Sequence, residues 1–449
     1  MPDSRVATFL TYELPPGSNL QLIVQSLQRG LDLAAKQLPT LAARIQFENN
    51  GKPRKQMTPG DLKLQVKTFE PGQHKSYREL SYESFSLENF TDPRLLPEDP
   101  PGEPGEKAVC IPRLNIIPGG LILILSFSHI ATDGWGRYLA TALVCQCAKE
   151  ASGIPRFRFD FHRGPLAATP ERVAIGKEQL AARLLDYRII STAPPAIDGN
   201  TAAAAHSGGG MPNDIPRPRL VTYRLGGDAA QRLKDSIRPR DGAAYVSKHD
   251  CVVALVWRGV MRARAALNPK LRSDPDCTSS LLHAVNLRQR GRVVPENYFG
   301  NAITVVRAGP LRMRDLLDAP DGLSMAASSL RKSVEDVNAI TSEVADVTAL
   351  GALMGPTKRL VYMPKVKEHE DNFLISSTYF MNPAEYDFGL GPPRAARTLV
   401  PPVPGFAVVL PDCERQQHSR VYDIGLSLLS AEHYHLNKDE EFRRYFKIL

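Results

Sequence analysis

The stretch Leu121-Ile122-Leu123-Ile124-Leu125-Ser126-Phe127-Ser128-His129-Ile130-Ala131-Thr132-Asp133-Gly134-Trp135-Gly136 decides the fold. Its first eight residues, LILILSFS, are apolar on both faces, as expected of a central strand buried between two layers. Past the turn, Tyr138, Leu139, Ala142, Leu143 and Cys147 recur at helical spacing between Asp133 and Ala151. His129 therefore stands where a buried strand ends and a helix begins. Upstream, Val109 to Ile117 reads as a second strand, and Pro118-Gly119-Gly120 between the two marks a β-hairpin. Further out, Ala7 to Leu14 is strand-like and Pro15 to Ser18 forms a turn. Leu20, Val24, Leu27, Leu31, Ala35 and Leu38 then line one face of a helix that Pro39 ends.

The clearest change of composition is Ala193 to Pro218, with an alanine run, three glycines in a row and several prolines. It can bury little and is expected to be an exposed linker between residues 1–192 and 219–449. The second half restarts with a strand, Arg219 to Leu225, and a helix expected to be capped by Asp228. Ser247 and Asp250 are spaced as a capping box ahead of a helix whose Val252, Leu255, Val256, Gly259, Val260 and Ala263 share a face. Strands are expected at Ser280–Leu287, Ala302–Val306, Gly405–Leu410 and Val421–Leu428. Helices are expected at Leu323–Val337, Glu343–Leu353 and, as one final element, Ala431–Phe446. Strands and helices mixed in both halves point to two α/β domains of similar size.

Composition narrows the classes further. The chain has 449 residues, 43% of them hydrophobic and 23% charged, with 32 Gly and 37 Pro. That excludes a disordered or fibrous protein and disfavours an all-helical solenoid. The net charge of +8 is scattered and serves chiefly solubility; its sharper use is to receive an anionic small molecule. No zinc-finger spacing or RNA-binding signature accompanies it, so no nucleic-acid partner is expected. The six cysteines are widely spaced, which suits reduced thiols in a cytoplasmic protein rather than a disulfide framework. Met1 to Leu14 has no signal-peptide core, and the longest apolar run, Leu121 to Leu125, is too short to cross a bilayer.

No P-loop, dinucleotide fingerprint or G-x-S-x-G elbow occurs. What stands out is H-x-x-x-D-G at His129, Asp133 and Gly134, of which composition alone supplies roughly 0.04 chance matches. Imidazole takes and returns a proton near neutrality, and the carboxyl end of a strand in an open α/β sheet is where ligands bind. Asp133 could orient the imidazole, share a metal with it, or be structural. Because the chain turns sharply between them, the favoured reading has Asp133 pointing away and tying the turn to a basic group elsewhere. Gly134 supplies backbone freedom or room for close packing. His433 and His435, like Cys145 and Cys147, lie two apart in helical segments and face different ways, so no metal is expected.

Taken with Asp387-Phe388-Gly389-Leu390-Gly391, the H-x-x-x-D-G stretch resembles the BAHD superfamily of acyl-CoA-dependent acyltransferases, nearest its fungal branch of trichothecene 3-O-acetyltransferases. Three further stretches agree, in the family's order. They are Leu38-Pro39-Thr40-Leu41-Ala42-Ala43-Arg44, Val256-Trp257-Arg258 with Ala263-Arg264, and Asn286-Leu287-Arg288-Gln289-Arg290 through Tyr298-Phe299-Gly300-Asn301-Ala302. The resemblance implies two chloramphenicol-acetyltransferase-like domains with a solvent channel between them, and strands from about 360–400 completing the first domain's sheet. It also implies His129 as general base midway along the channel, with acyl-CoA, most simply acetyl-CoA, as co-substrate and no resident cofactor. Asp387, Gly389 and Gly391 would be structural, with Asp387 paired to Arg288. Leu390 stands where many members have Trp. Ser377, where the family has a Ser-Trp pair, and Arg394 are the candidate CoA contacts.

The expected activity is O-acyl transfer to a hydroxyl of a specialised metabolite, a terpenoid, polyketide or alkaloid, by a cytoplasmic monomer. One alternative is an N-acyl or carrier-protein-dependent condensation catalyst of the same superfold, against which Ser128 stands in place of the first His of H-H-x-x-x-D-G. The other is a non-catalytic binding protein.

Overall fold

The buried strand and its hairpin partner pair antiparallel in the middle of a mixed five-stranded sheet. The computed structural model describes residues 5–47, 53–58, 60–103, 106–150, 168–184, 187–191, 218–288, 294–354, 358–362, 370–399, 404–414 and 420–449. Residues 193–217 of the expected linker, and Gln289 and Arg290, lie outside them.

The first half contributes strands β1 (Arg5–Glu13), β2 (Gln65–Thr68), β3 (Cys110–Ile117) and β4 (Gly120–Ser128), with helices α1 (Leu20–Gln37) and α2 (Gly134–Lys149). The second contributes β5 (Arg219–Leu225), β6 (Thr278–Asn286), β7 (Ile303–Arg312), β8 (Glu370–Ser377), β9 (Ala395–Thr398), β10 (Phe406–Val409), β11 (Tyr422–Leu428) and β12 (Lys447–Ile448). Its main helices are α3 (Gly227–Ser236), α4 (Lys248–Leu267), α5 (Gly322–Glu335), α6 (Val337–Leu353), α7 (Ser430–Leu436) and α8 (Glu440–Tyr445).

Two large sheets result, with strand orders β9-β1-β4-β3-β2 and β7-β6-β8-β10-β11-β5-β12. Every residue of β4 is buried, and it lies between β1 and β3. One edge strand of the first sheet is β9, which pairs antiparallel with β1 from Thr8–Thr398 to Thr11–Ala395, so a segment nearly 400 residues along the chain completes the N-terminal sheet. The Arg397 guanidinium of β9 then donates to Asp423 of β11 at 2.9 Å and to the carbonyl of Phe85 at 2.6 Å, joining the two sheets through a buried cation.

The C-terminal core is organised by α4, which opens on the expected capping box of Ser247 and Asp250. Trp257 is fully buried, its indole N–H donating to Ser279 Oγ at 2.8 Å. Arg264 pairs with Asp371 of β8 and Glu432 of α7.

Two local expectations are corrected. Asp228 is not a cap: α3 starts after Gly226, and Asp228 lies in its first turn, where a carboxylate meets the positive end of the helix. The final helix is broken into α7 and α8, because Asp439 caps a new start by accepting from the Phe442 N–H. Among the described residues no helix is long and apolar enough to cross a membrane.

Candidate functional site

β4 delivers His129 to the site and the following turn holds it there. The strand's last residue is Ser128; the Ala131 N–H returns to the Ser128 carbonyl, leaving His129 half-buried at the strand's carboxyl end. Asn301, far along the chain, donates to the carbonyls of His129 and Ile130 at 3.0 and 2.9 Å. The Thr132 hydroxyl donates to the Phe299 carbonyl at 2.5 Å. The imidazole Nδ1 is buried without a hydrogen-bond partner among the described residues. Burial, and next the Arg137 charge, lower the His129 pKa below the ordinary histidine value.

Asp133 points away from the imidazole, as the sharp turn requires. Its Oδ1 caps α2 by accepting from the Gly136 N–H at 3.0 Å; its Oδ2 accepts from Arg288 Nη1 at 2.8 Å and from the Ala302 N–H at 2.7 Å. Both side chains of the Asp133–Arg288 pair are wholly excluded from solvent. Arg288 also donates to Asn286 Oδ1 and to the carbonyls of Tyr298 and Gly300. The turn bearing His129 is thus clamped to the Tyr298–Ala302 segment by one guanidinium bonded through all three of its nitrogens.

Close packing falls on Gly136 rather than Gly134. A Cβ on Gly136 would lie 2.1 Å from Thr132 Oγ1 and 2.2 Å from the Phe299 carbonyl oxygen, whereas one on Gly134 would meet its neighbours at ordinary contact distance.

The expected pairing of Asp387 with Arg288 is overturned. Arg288 belongs to Asp133, and Asp387 accepts instead from Lys149 Nζ at 2.5 Å, at the end of α2. Asp387 Oδ1 also accepts from the N–H groups of Gly389 and Gly391 at 2.8 and 2.9 Å. Those glycines have φ of +117° and +84°, a region that side-chain-bearing residues avoid, so the D-F-G-L-G turn closes on its own aspartate. Phe388 packs edge-on against Tyr12 of β1, and Leu390 joins the same cluster. The motif therefore braces the N-terminal sheet and α2 away from His129.

Ser377, at the end of β8, lines two adjoining cavities of about 400 and 240 Å³. His249, in the first turn of α4, lines both as well. Asn286, an Arg288 partner, lines the smaller. Phe380 lines the larger, and its ring packs 5.2 Å from that of Trp135, next to Gly134. Ser377 is thus on a cavity wall that reaches the start of α2. Thr378 is turned into the core, donating to the Val409 carbonyl. Arg394 stands apart: it is exposed and lines a small separate recess with Arg224 and Glu414.

His433 is a core histidine, its Nδ1 beside the Tyr223 hydroxyl and its Nε2 beside the Arg219 carbonyl. Among the described residues no group of three or more His, Cys, Asp or Glu is placed to hold a metal.

Sequence reasoning missed Gly136, Arg137 and His249. Gly136 ends the stretch that decides the fold and Arg137 directly follows it, but neither residue type at that spacing signals a role without its neighbours in space.

Comparison with known proteins bears on the fold and the family. Residues 220–442 match the model of the Transferase family. An acyltransferase of Phoma sp. is 24% identical over 94% of this chain and 88% of its own length. An enoyl-CoA isomerase/hydratase of Penicillium crustosum is 25% identical over 76% of this chain, which spans only 38% of that protein. Among solved structures, that of F. graminearum TRI101 complexed with coenzyme A and T-2 mycotoxin superposes with a TM-score of 0.78 at 20% identity, covering 100% of this chain and 96% of the other. At that identity the likeness is one of fold.

Proposed function

Since this chain belongs to the BAHD-type Transferase family of acyltransferases, we propose that it moves an acyl group, acetyl most simply, from acyl-CoA to a hydroxyl of a specialised metabolite, with His129 as general base. The observation that carries this reading is a half-buried imidazole at the end of the central strand, on a turn clamped from the other half of the chain. The neighbour bound to coenzyme A and a small-molecule toxin supports the substrate classes.

In this reading the acceptor oxygen attacks the thioester carbonyl as His129 Nε2 takes its proton. The tetrahedral adduct then collapses, the C–S bond breaks, and the leaving CoA sulfur receives the proton from the imidazolium. Asp133 is fully engaged by Arg288 and two backbone N–H groups, so it sets the turn rather than the imidazole. A thioester is already activated, and a direct transfer needs no acyl-enzyme; positioning supplies much of the rate. The two halves, 1–192 and 219–449, would enclose the channel, with Ser377 on the CoA path. Arg394, exposed in its separate recess, is the weaker CoA contact. The free cysteines suit a cytoplasmic monomer.

Incubation with acetyl-CoA and a panel of alcohols, read by free thiol release and product mass, should give acetylated product. Transfer from a carrier-bound acyl group but never from free acyl-CoA would replace this reading by the condensation catalyst.

The lowered His129 pKa also has a sign that can be checked. A group whose pKa falls stays unprotonated to lower pH, so kcat/KM for acyl-CoA should hold until the pH drops below the ordinary histidine value of 6.5. An acidic limb centred above pH 7 would contradict His129 as the base in this environment.

A further inference from the structure

The first turn of α2 carries a charge that the mechanism above does not use. Arg137 is only 5% exposed, and its Nε and Nη1 are buried with no hydrogen-bond partner among the described residues. The carboxylate one helical turn back, Asp133, is already taken by Arg288, the Gly136 N–H and the Ala302 N–H. A helical side chain lies back toward its own N-terminus. Accordingly, Arg137 Nη2 is 3.6 Å from where a Cβ on Gly134 would stand, with the tip of Phe380 at 3.5 Å from the same point. The guanidinium thus comes to rest at the amino end of α2, beside the turn that bears His129, and its positive charge is felt at the imidazole. The amino end of a 16-residue helix adds its own partial positive charge there.

The Asp133 charge acts on Arg137 but its oxygens are bonded elsewhere, so a buried guanidinium with unbonded N–H groups is costly, and an anion that reaches it offsets part of that cost. Acyl transfer makes one at this place. When the acceptor oxygen bonds to the thioester carbon and gives its proton to His129, the carbonyl π pair moves onto oxygen. When the C–S bond breaks, that pair restores the carbonyl and the sulfur leaves with the proton. We propose that Arg137, together with the amino end of α2, is the electrostatic partner of that tetrahedral oxyanion. A preorganised donor of this kind costs no reorganisation at the moment of reaction. The inference rests on the acyl-transfer reading and adds to it a catalytic residue outside the H-x-x-x-D-G motif.

The test needs no knowledge of the acceptor. Acetyl-CoA turnover to water, followed by thiol release, is measured for the full chain and for Arg137→Gln and Arg137→Lys, with circular dichroism as the check on folding. Arg137→Gln should lower kcat by about 10²-fold or more while KM for acetyl-CoA stays within about 2-fold, and Arg137→Lys should lose about tenfold less than the Gln variant. A merely structural arginine would not divide kcat from KM or be partly rescued by lysine. Unchanged kcat in a folded Arg137→Gln protein, or a loss confined to KM, overturns the proposal; the latter would make Arg137 a binder of a charged group on the substrate. Should the Gln variant fail to fold, the Lys variant decides: a lower kcat at unchanged KM supports the proposal, and unchanged kinetics overturn it. A wild-type protein that turns over no acyl-CoA refutes the underlying reading and the proposal with it, whereas active wild type with an indifferent Arg137 refutes the proposal alone.

Discussion

Replacing His129 by alanine is expected to lower acyl transfer by about 10²- to 10⁴-fold, the range associated with loss of a positioned general base. The fold should survive. The imidazole Nδ1 makes no hydrogen bond among the described residues, and the contacts that hold the turn are made by the backbone carbonyls of His129 and Ile130, which alanine keeps. The variant should therefore bind acyl-CoA as before and show an unaltered circular-dichroism spectrum. His129→Gln should behave alike, since an amide of similar reach accepts a hydrogen bond but does not take up a proton at neutral pH. Wild-type turnover by a folded His129→Ala protein would remove His129 from the mechanism and leave no base in the H-x-x-x-D-G stretch.

The second large effect concerns stability. Arg288→Met should destabilise the protein by about 3–5 kcal/mol, because it removes one member of a wholly buried ion pair and leaves the other uncompensated. Asp133 would retain only two backbone donors, and the carbonyls of Tyr298 and Gly300 would lose theirs. Because these contacts clamp the turn bearing His129, activity should fall even at temperatures where the variant remains folded. Chemical unfolding of wild type and variant measures the first effect and acetyl-CoA turnover the second. An Arg288→Met protein with wild-type stability would mean that the clamp contributes nothing to the folded state.

The contrast with the Lys149–Asp387 pair is physical. Lys149 and Asp387 meet where the lysine side chain is 50% exposed, and exposed ion pairs contribute little. The aspartate's structural work there is the turn it closes through two glycine N–H groups, not the charge it shares.

How much of this was legible in the residues can be judged from particular cases. The buried strand, the hairpin and the helix after Asp133 follow from local pattern: a run apolar on both faces has nowhere to go but between layers, and apolar residues recurring at helical spacing past the turn mark the helix. The capping box at Ser247 and Asp250 is legible for the same reason, since both partners lie within one turn. The break between α7 and α8 was missed because a cap at Asp439 competes with a helical pattern that runs through it.

The amino-acid sequence by itself determined the α/β class, the place of His129 at the end of a central strand, and a family whose motifs recur in order. All of these depend on periodicity, spacing and residue type, which are properties of neighbours along the chain. Tertiary structure alone decided which cation answers which carboxylate: Arg288 goes to Asp133 and Lys149 to Asp387, across 155 and 238 residues respectively. It also decided that Arg137 Nε and Nη1 are buried with no hydrogen-bond partner among the described residues, and that β9 completes a sheet begun nearly 400 residues earlier. Pairing over such separations is settled by which surfaces pack against each other and which charges are thereby stripped of water, and no local pattern encodes that outcome.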